Sequence, residues 1–281
     1  MELFTIDTGF FKLDGGAMFG VVPKSIWHKL NPADDNNLIK MAMRCLLIQD
    51  GKRLILIDNG IGNKQDDKFF GHYYLHGEDT LEKSLNKHGF TKADITDMVL
   101  THLHFDHCGG GIEWNSDRTN FKTSFPNASY WIAEAHWNES LHPNAREKAS
   151  FLRDNIIPMQ ESGQLKLLKE GALFHPSIDL IYSMGHTMQM MLPIIPYKGK
   201  RVIYLADAIP SQAHLPIPYV MGYDVRPLEA MKEKTAILQK AVELGDILYF
   251  EHDPFNEACT VQQTEKGIRL LEQVKLSHWK F

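Results

Sequence analysis

Three histidines and one aspartate fall within six residues of the segment THLHFDHCGG at 101–110. His102 and His104 are two positions apart, so in an extended segment both imidazoles point the same way and can bind one ion. The glycines that end the segment allow a bend, and Asp106 and His107 can then reach a second ion. Imidazole and carboxylate groups suit zinc, and a catalytic zinc keeps one position open for water. The spacing therefore predicts a metal site that activates water, although these four residues alone supply too few ligands.

The missing ligands are expected from three later strands. His186, Asp207 and His252 end the runs IDLIYSMGH, RVIYLAD and ILYFEH, each of which is predicted as a strand. If these strands end at the same edge of the sandwich, all three side chains can point into one site. The alternative is a set of incidental histidines in solvated loops, the usual state of a lone histidine. Four donors at close spacing and three more at strand ends favour metal binding.

The elements before the motif must deliver it to a sheet edge. Four β-rich runs come first, LFTIDTG, MFGVV, MAMRCLLIQDG and KRLILIDNG, with a hairpin turn predicted at Gly51-Lys52. Residues 61–77 predict an ordered loop or short helices that could wall a pocket. An amphipathic helix is predicted over 78–88 and a buried strand over 97–101. The motif follows that strand directly.

The second half repeats this order of elements. After the strand that begins ASYWIAEA, the spacing predicts a helix over 144–162, interrupted by Pro158. Strands at LKLL, IDLIYSMG, MMLPIIPY and KRVIYLADA follow, then a helix over 227–244, a strand at DILYFEHD and a terminal helix over 261–274. Two β-rich halves, each closed by helices, predict an α/β protein: a four-layer α/β/β/α sandwich of two mixed sheets with outer helices. No low-complexity linker divides the chain, so a single domain over 1–281 is expected.

Composition limits the class of protein and its partners. The chain has 281 residues, 43% of them hydrophobic, and a formal net charge of -5, a balance that supports a packed core and attracts no phosphate backbone. The three cysteines form no CxxC pair, and the N-terminus lacks the features of an export signal. No apolar run approaches the roughly 20 residues that cross a bilayer. We therefore expect a cytoplasmic protein without a membrane or nucleic-acid partner, and a homodimer is left open.

Several short segments together resemble one known family. LILIDNG at 54–60, THLHFDHCGG, GHT at 185–187, LAD at 205–207 and His252 occur in the order found in hydrolases of the metallo-β-lactamase superfold. The resemblance spans nearly the whole chain and implies the same four-layer fold. Within the superfold, LLIQDGKRLILIDNGIG followed by HxHFDHxGG is most similar to the N-acyl-homoserine-lactone lactonase group and related phosphotriester-cleaving members. The AHADR-type variant of many β-lactam-cleaving members is absent, which disfavours antibiotic hydrolysis.

The resemblance implies two Zn²⁺ ions per chain. By that likeness, one zinc is bound by His102, His104 and His186, the other by Asp106, His107 and His252, and Asp207 bridges them. Asp58 would orient a ligand imidazole from behind. The implied reaction is the opening of a lactone, an N-acyl-homoserine lactone or a related compound, by attack of a metal-bridging hydroxide. Asp106 would shuttle a proton in this reaction.

The substrate pocket is less well defined by the sequence. The lactonase likeness suggests that Tyr223 donates a hydrogen bond to the carbonyl or leaving oxygen, with a buried tyrosine in a turn as the alternative. The residues expected to line an apolar pocket are Met18, Phe19, Phe105 and Met188, with Phe69, Phe70 and Trp137 as further candidates. Core packing is the alternative for each of them. This chain has GHTMQM at 185–190, where many relatives carry GHTPGH. The contacts beside His186, and the substrate preference that depends on them, are therefore left open.

Three functions remain open, and the first is preferred. A lactone or carboxylic-ester hydrolase acting on a small molecule with an apolar group fits an apolar rim with a nearby phenol. A phosphotriester, phosphodiester or aryl-ester hydrolase could use the same pair of metals. A non-enzymatic binding module would be expected to lack a ligand, whereas all seven positions are filled.

Overall fold

The computed structural model describes residues 1–279, so the last two residues of the expected 1–281 domain lie outside the described residues. Its strands are β1 (Glu2–Asp14), β2 (Leu38–Asp50), β3 (Arg53–Ile57), β4 (Asp97–Val99), β5 (Ile112–Trp114), β6 (Phe121–Thr123), β7 (Ser129–Ala133), β8 (Leu165–Leu168), β9 (Asp179–Ser183), β10 (Met190–Tyr197), β11 (Lys200–Tyr204), β12 (Ile247–Tyr249), β13 (Ala258–Thr264) and β14 (Gly267–Val274). Its α-helices are α1 (Gly15–Phe19), α2 (Lys24–Trp27), α3 (Asp67–Gly71), α4 (Leu81–Lys87), α5 (Phe105–Cys108), α6 (Glu134–Leu141), α7 (Arg153–Glu161) and α8 (Pro227–Leu244).

Most of the strands belong to two large sheets. The first has the order β1-β2-β3-β4-β7-β8 and the second the order β14-β13-β12-β11-β10-β9. In the first sheet β1, β2 and β3 are antiparallel, whereas β3, β4, β7 and β8 run parallel. The second sheet is antiparallel except for the parallel pair β11 and β12. Both sheets are therefore mixed, as predicted, and β5 and β6 form a separate small hairpin.

The inner faces of the two sheets meet at β2. The hydroxyl of Tyr204 in β11 donates to the carbonyl of Arg44 at 3.0 Å, and that of Tyr249 in β12 donates to Cys45 at 3.1 Å. Both tyrosines are fully buried, so these bonds satisfy hydroxyls that would otherwise be unpaired in the core. The second sheet is thereby attached to the backbone of the first.

Helices cover the outer faces of the sandwich. α4 and α6 pack against the first sheet and α8 against the second. α8 begins with Pro227 and is followed by Gly245, which caps it in the left-handed conformation; proline and glycine are favoured at these two ends. The predicted four-layer α/β/β/α sandwich is confirmed. Within residues 1–279, no helix is both long and apolar enough to cross a bilayer.

The terminal helix predicted over 261–274 is wrong. This segment belongs to β13 and β14, an antiparallel pair in which Thr264 lies opposite Gly267. Its glutamine, glutamate and leucine residues favour a helix in isolation. In the protein, pairing along the edge of the second sheet satisfies the backbone and buries Val261 and Val274, so the tertiary context decides the structure.

Two other predicted elements differ because side chains make local hydrogen bonds. The run MFGVV at 18–22, predicted as a strand, lies in α1 and the turn after it, because Asp14 caps the helix by accepting from the Ala17 amide at 2.8 Å. The helix predicted over 144–162 begins only at Arg153. The Asn144 side chain accepts from two backbone amides that follow it, at 2.9 and 3.1 Å, which holds the chain in a turn instead.

Candidate metal centre

All seven predicted ligands lie at the ends of strands on one edge of the sandwich. His102 and His104 follow β4, and α5 then carries Asp106 and His107. The other three ligands follow β9, β11 and β12 and are His186, Asp207 and His252. Each of the seven is at most 7% exposed. The fold therefore brings together residues separated by up to 150 positions in the sequence.

The two glycines after the motif are needed for space. Gly109 has an ordinary helical φ of -64°, so the bend itself does not require glycine. A β-carbon there would collide with the Ile61 carbonyl, and one on Gly110 would collide with the Asn59 carbonyl. The close approach lets the Asn59 amide donate to the carbonyl of His107 at 2.9 Å. The chain does turn after the extended residue His104 into α5, but the glycines are needed for a close contact that fixes the motif against the turn after β3.

The first cluster has the spacing of a tetrahedral metal site. His104 Nδ1 lies 3.1 Å from His102 Nε2 and 3.2 Å from His186 Nε2. Asp207 Oδ2 lies 3.0 Å from the same His186 nitrogen. Donors around a tetrahedral zinc, with bonds near 2.0–2.1 Å, are separated by about 3.3 Å. These four residues converge as the ligands of one ion would.

The second cluster lies beside the first and shares Asp207 with it. His107 Nε2 and His252 Nε2 are 3.1 Å apart, and Asp106 Oδ2 is 3.7 Å from each of these nitrogens. The second oxygen of Asp207, Oδ1, is 3.0 Å from His252 Nε2. Since its Oδ2 faces the first cluster, this carboxylate has the position of a bridging ligand.

Asp58 supports both clusters from behind, as the resemblance implies. It accepts hydrogen bonds from the amide and the hydroxyl of Thr101 at 2.8 and 2.7 Å. The same hydroxyl lies 3.0 Å from His102 Nδ1, and Asp58 Oδ2 lies 3.1 Å from His107 Nδ1. An Nδ1 hydrogen that is held in this way leaves Nε2 with a free lone pair for a metal.

The rings of His186 and His252, which also direct Nε2 toward the clusters, are oriented in the same way by contacts to Nδ1. His186 Nδ1 lies 2.9 Å from Asp224 Oδ1, and His252 Nδ1 lies 2.8 Å from the carbonyl of Ala42. His104 differs, since its Nδ1 faces the cluster and its Nε2 has no hydrogen-bond partner within residues 1–279. The donor set and its outer hydrogen bonds therefore fit a pair of zinc ions.

Electrostatics divide the histidines into two groups. Burial disfavours charge on all of them, yet Asp207 and Asp224 raise the pKa of His186 to about 10, and Asp207 raises that of His252 to about 9. For His102 and His104, burial and the neighbouring imidazoles lower the pKa well below its usual value. Protons thus occupy part of the site in the metal-free protein, and a bound metal would displace them.

A cavity of about 320 Å³ opens beside the clusters. Five of the seven ligands reach its wall, namely His104, Asp106, His186, Asp207 and His252. Of the predicted substrate residues, Met18, Phe105 and Tyr223 also line it. Phe69 packs edge-on behind Phe105, with ring centroids 5.3 Å apart. The cavity therefore joins the metal clusters to an apolar wall.

Two phenols line this cavity. Tyr223 is 38% exposed, so the alternative of a buried tyrosine in a turn does not describe it. The second is Tyr73, whose ring lies 4.7 Å from that of Phe105; it belongs to the segment 61–77 that was predicted to wall a pocket, although the sequence did not single out this residue. Partial burial and the charge of Asp106 raise the pKa of both phenols to about 12. Both hydroxyls therefore keep their hydrogen near neutral pH and can donate it.

Phe19 and Met188 lie elsewhere and are not among the cavity-lining residues that the structure describes. The Phe19 ring stacks on Trp27 and His214, with centroids 5.3 and 4.4 Å away. Met188 is held by its backbone, since its amide donates to Glu139 at 2.7 Å and its carbonyl lies 3.0 Å from a ring nitrogen of His136. Both residues pack around the site, so their expected position in the pocket is corrected.

The model of the metallo-beta-lactamase superfamily matches residues 44–252 of the chain. The chain belongs to the metallo-beta-lactamase superfamily. The matched range contains all seven residues of the two clusters and most of both sheets. The protein is thus a metallo-hydrolase of this superfamily, and its four-layer sandwich is the metallo-beta-lactamase fold.

Three relatives illustrate the similarity. An N-acyl homoserine lactonase of Bacillus cereus is 23% identical over 231 residues, which cover 77% of this chain and 83% of the relative. The structure of a probable metal-dependent hydrolase from Staphylococcus aureus has a TM-score of 0.87 and 28% identity, with 98% of each chain covered. AidC, a dizinc quorum-quenching lactonase solved with a product, has a TM-score of 0.75 and 24% identity, with 97% of this chain and 94% of AidC covered.

Two carboxylates of this metallo-beta-lactamase site were not predicted. Asp224 contacts His186, and Glu251 Oε2 lies 3.0 Å from His107 Nδ1. Burial and the nearby charge of Asp58 raise the pKa of Glu251 to about 8. Each carboxylate adjoins a predicted site residue in the sequence, which is the one signal available. Acidic residues are too common for that adjacency to select them.

Proposed function

We propose that this metallo-hydrolase opens lactones, and that N-acyl homoserine lactones or closely related compounds are its substrates. The observation that carries the proposal is the junction of two donor clusters, which share Asp207, with a cavity that has an apolar wall and a phenol. Similarity to the lactonase of Bacillus cereus supports this class of substrate.

Two Zn²⁺ ions per chain are the proposed cofactors. One would be held by His102, His104 and His186, the other by Asp106, His107 and His252, and both by Asp207, which contacts His186 and His252. When bound, such a pair makes water acidic enough to react near neutral pH and polarises the scissile carbonyl. Ligand spacings of 3.0–3.7 Å, and outer partners that hold Nδ1 of every ligand histidine except His104, support this assignment.

The remaining chemistry is assigned to side chains that reach the cavity. We propose that Asp106 takes up and passes on the proton of the attacking water, because its carboxylate lines the cavity within 3.7 Å of both second-cluster histidines. Tyr223 would donate a hydrogen bond to the carbonyl or leaving oxygen, where negative charge develops. Met18 and Phe105 would bind the apolar part of the substrate.

A comparison of substrates tests this proposal. Purified protein is assayed with acyl-homoserine lactones, simple lactones, aryl esters, phosphotriesters and phosphodiesters, and zinc is measured by elemental analysis. We expect two zinc ions per chain and the highest kcat/KM for an acyl-homoserine lactone. Dominant phosphotriester or phosphodiester cleavage would replace the lactone assignment with a phosphoesterase. Faster aryl-ester cleavage would replace it with an esterase.

A pair of matched variants tests whether zinc binding and activity depend on the clusters. His104→Ala should lose zinc and activity together, whereas His278→Ala, which changes an exposed histidine outside both clusters, should lose neither. Unchanged zinc content and rate in His104→Ala would refute the dinuclear site.

The cytoplasmic location, the homodimer and the single 1–281 domain stay predictions. Cell fractionation, light scattering and limited proteolysis test them.

A further inference from the structure

Glu251 occupies an unusual position behind the second cluster. It directly precedes His252 in the chain, and its side chain contacts the other histidine of that cluster, with 3.0 Å between Oε2 and His107 Nδ1. The residue is fully buried. Apart from that contact, neither of its carboxyl oxygens has a hydrogen-bond partner within residues 1–279. A leucine would fill similar space without the free-energy cost of burying a carboxyl group. The presence of a carboxyl group at this position therefore needs a physical explanation.

Asp58 does not make Glu251 redundant. Asp58 already accepts the amide and hydroxyl hydrogens of Thr101, and that hydroxyl contacts His102 of the first cluster. Its third contact is His107 Nδ1 at 3.1 Å. His107 Nδ1 therefore lies between two carboxylates: Asp58, which has two other hydrogen bonds, and Glu251, which has no other within residues 1–279.

We propose that Glu251 is a positioning residue for His107 and thereby determines the affinity of the second metal. A carboxyl group against Nδ1 keeps the hydrogen on that atom and directs Nε2 toward His252 and Asp106. Because Glu251 and His252 are consecutive, one short backbone segment fixes both histidines of the cluster. The inference rests on the proposed two-metal site.

The effect should be confined to one cluster. The first cluster has its own outer contacts, from Asp224 to His186 and from Thr101 to His102. Loss of Glu251 therefore leaves those rings in place, while His107 keeps only one of its two outer carboxylate contacts, the one with Asp58. Asp224→Asn supplies a matched comparison, because it alters a buried carboxylate behind the first cluster.

Two substitutions isolate the carboxyl group. Glu251→Leu fills the space without an oxygen, and Glu251→Gln keeps an oxygen at the same position. Zinc is titrated against a chromophoric chelator to obtain the affinities of the two binding steps. In a separate sample, one equivalent of paramagnetic Co²⁺ is added, and the histidine NMR signals that it shifts show which cluster is filled in the first step. In Glu251→Leu we expect second-site affinity to fall about 10- to 100-fold, with the first site unchanged. Glu251→Gln should lose less, and Asp224→Asn should weaken the first site instead.

A second measurement separates positioning from packing. In ¹⁵N-histidine-labelled, zinc-loaded protein, the His107 Nδ1–H signal should move in both Glu251 variants while the His186 signal stays fixed. Unchanged second-site affinity in Glu251→Leu overturns the inference. Should that variant not fold, an unmoved His107 signal in Glu251→Gln overturns it. Binding of fewer than two zinc ions by the unaltered protein contradicts the proposed function itself.

Discussion

The metal clusters and the cavity wall beside them are constructed differently. In the clusters, His102, His186 and His252 each have Nδ1 within 3.0 Å of a partner fixed in the fold. The wall is formed largely by loops and includes the partly exposed Tyr223 and the exposed Arg146. Side chains that bind metal are thus fixed by sheet ends and buried contacts, whereas those that would meet a substrate are held by fewer constraints.

This difference has a functional consequence. Reactive groups must be held to within a fraction of an ångström, so rigid elements suit them. Loops tolerate sequence change, so they suit selection among substrates. We therefore expect cluster variants to lose activity on every substrate and wall variants to change the ranking of substrates.

The largest effect is expected for Asp207→Ala. Its carboxylate contacts His186 of the first cluster and His252 of the second at 3.0 Å each, so both proposed ions lose a ligand. We expect zinc content to fall and kcat/KM to drop about 10³-fold or more on all substrates. Elemental analysis and initial rates measure this. A variant that keeps both ions and loses only one class of substrate would contradict the division between clusters and wall.

Zinc affinity should depend strongly on pH. Carboxylate neighbours raise the pKa of His186 and His252 to about 10 and 9, so each of these two rings carries an extra proton at pH 7 in the metal-free protein. Zinc must displace these protons, so its affinity should rise with pH between 6 and 8, by up to about tenfold per unit for each proton displaced. Loading at pH 7 should release roughly two protons, one from each of these rings. Indicator dyes in weak buffer count them, and a pH-independent affinity would refute these protonation states.

Tyr223→Phe tests the phenol on the wall. Removing one hydrogen-bond donor to a developing negative charge should lower kcat/KM for lactones about 100- to 1,000-fold. Zinc content should not change, because Tyr223 belongs to neither cluster. Tyr73→Phe is the matched control for loss of a phenol from the same cavity. Equal activity of Tyr223→Phe and the unaltered protein would remove the proposed role.

The sequence is most informative where chemistry restricts the residue type. Few residues bind zinc, and strand ends on one side of a sheet meet in space, so His186, Asp207 and His252 could be selected from far apart in the chain. Asp224 and Glu251 could not, because their contacts to histidines arise only through tertiary packing. No periodicity or spacing connects either carboxylate to the histidine that it touches.

The pocket shows a second limit. Which of Met18 and Phe19 faces the cavity depends on whether their segment is a strand or a helix. The apolar run at 18–22 predicts a strand, whereas the cap supplied by Asp14 produces α1. When the type of element is predicted wrongly, the predicted direction of every side chain in it is wrong as well. The fold class survives such an error because the sheets do not depend on this turn.

The smallest expected effect compares these two neighbours. Met18 lines the cavity, whereas Phe19 stacks on Trp27 and His214. Met18→Ala should change the ratio of kcat/KM for long-chain and short-chain acyl lactones by about tenfold, because a pocket discriminates through the apolar contacts it makes. Phe19→Leu should lower the melting temperature and leave that ratio unchanged, because its loss is one of packing. Rates on an acyl-chain series and thermal unfolding measure both variants. A shifted ratio in Phe19→Leu, or a constant one in Met18→Ala, would mean that the packing around α1 selects the substrate as a unit.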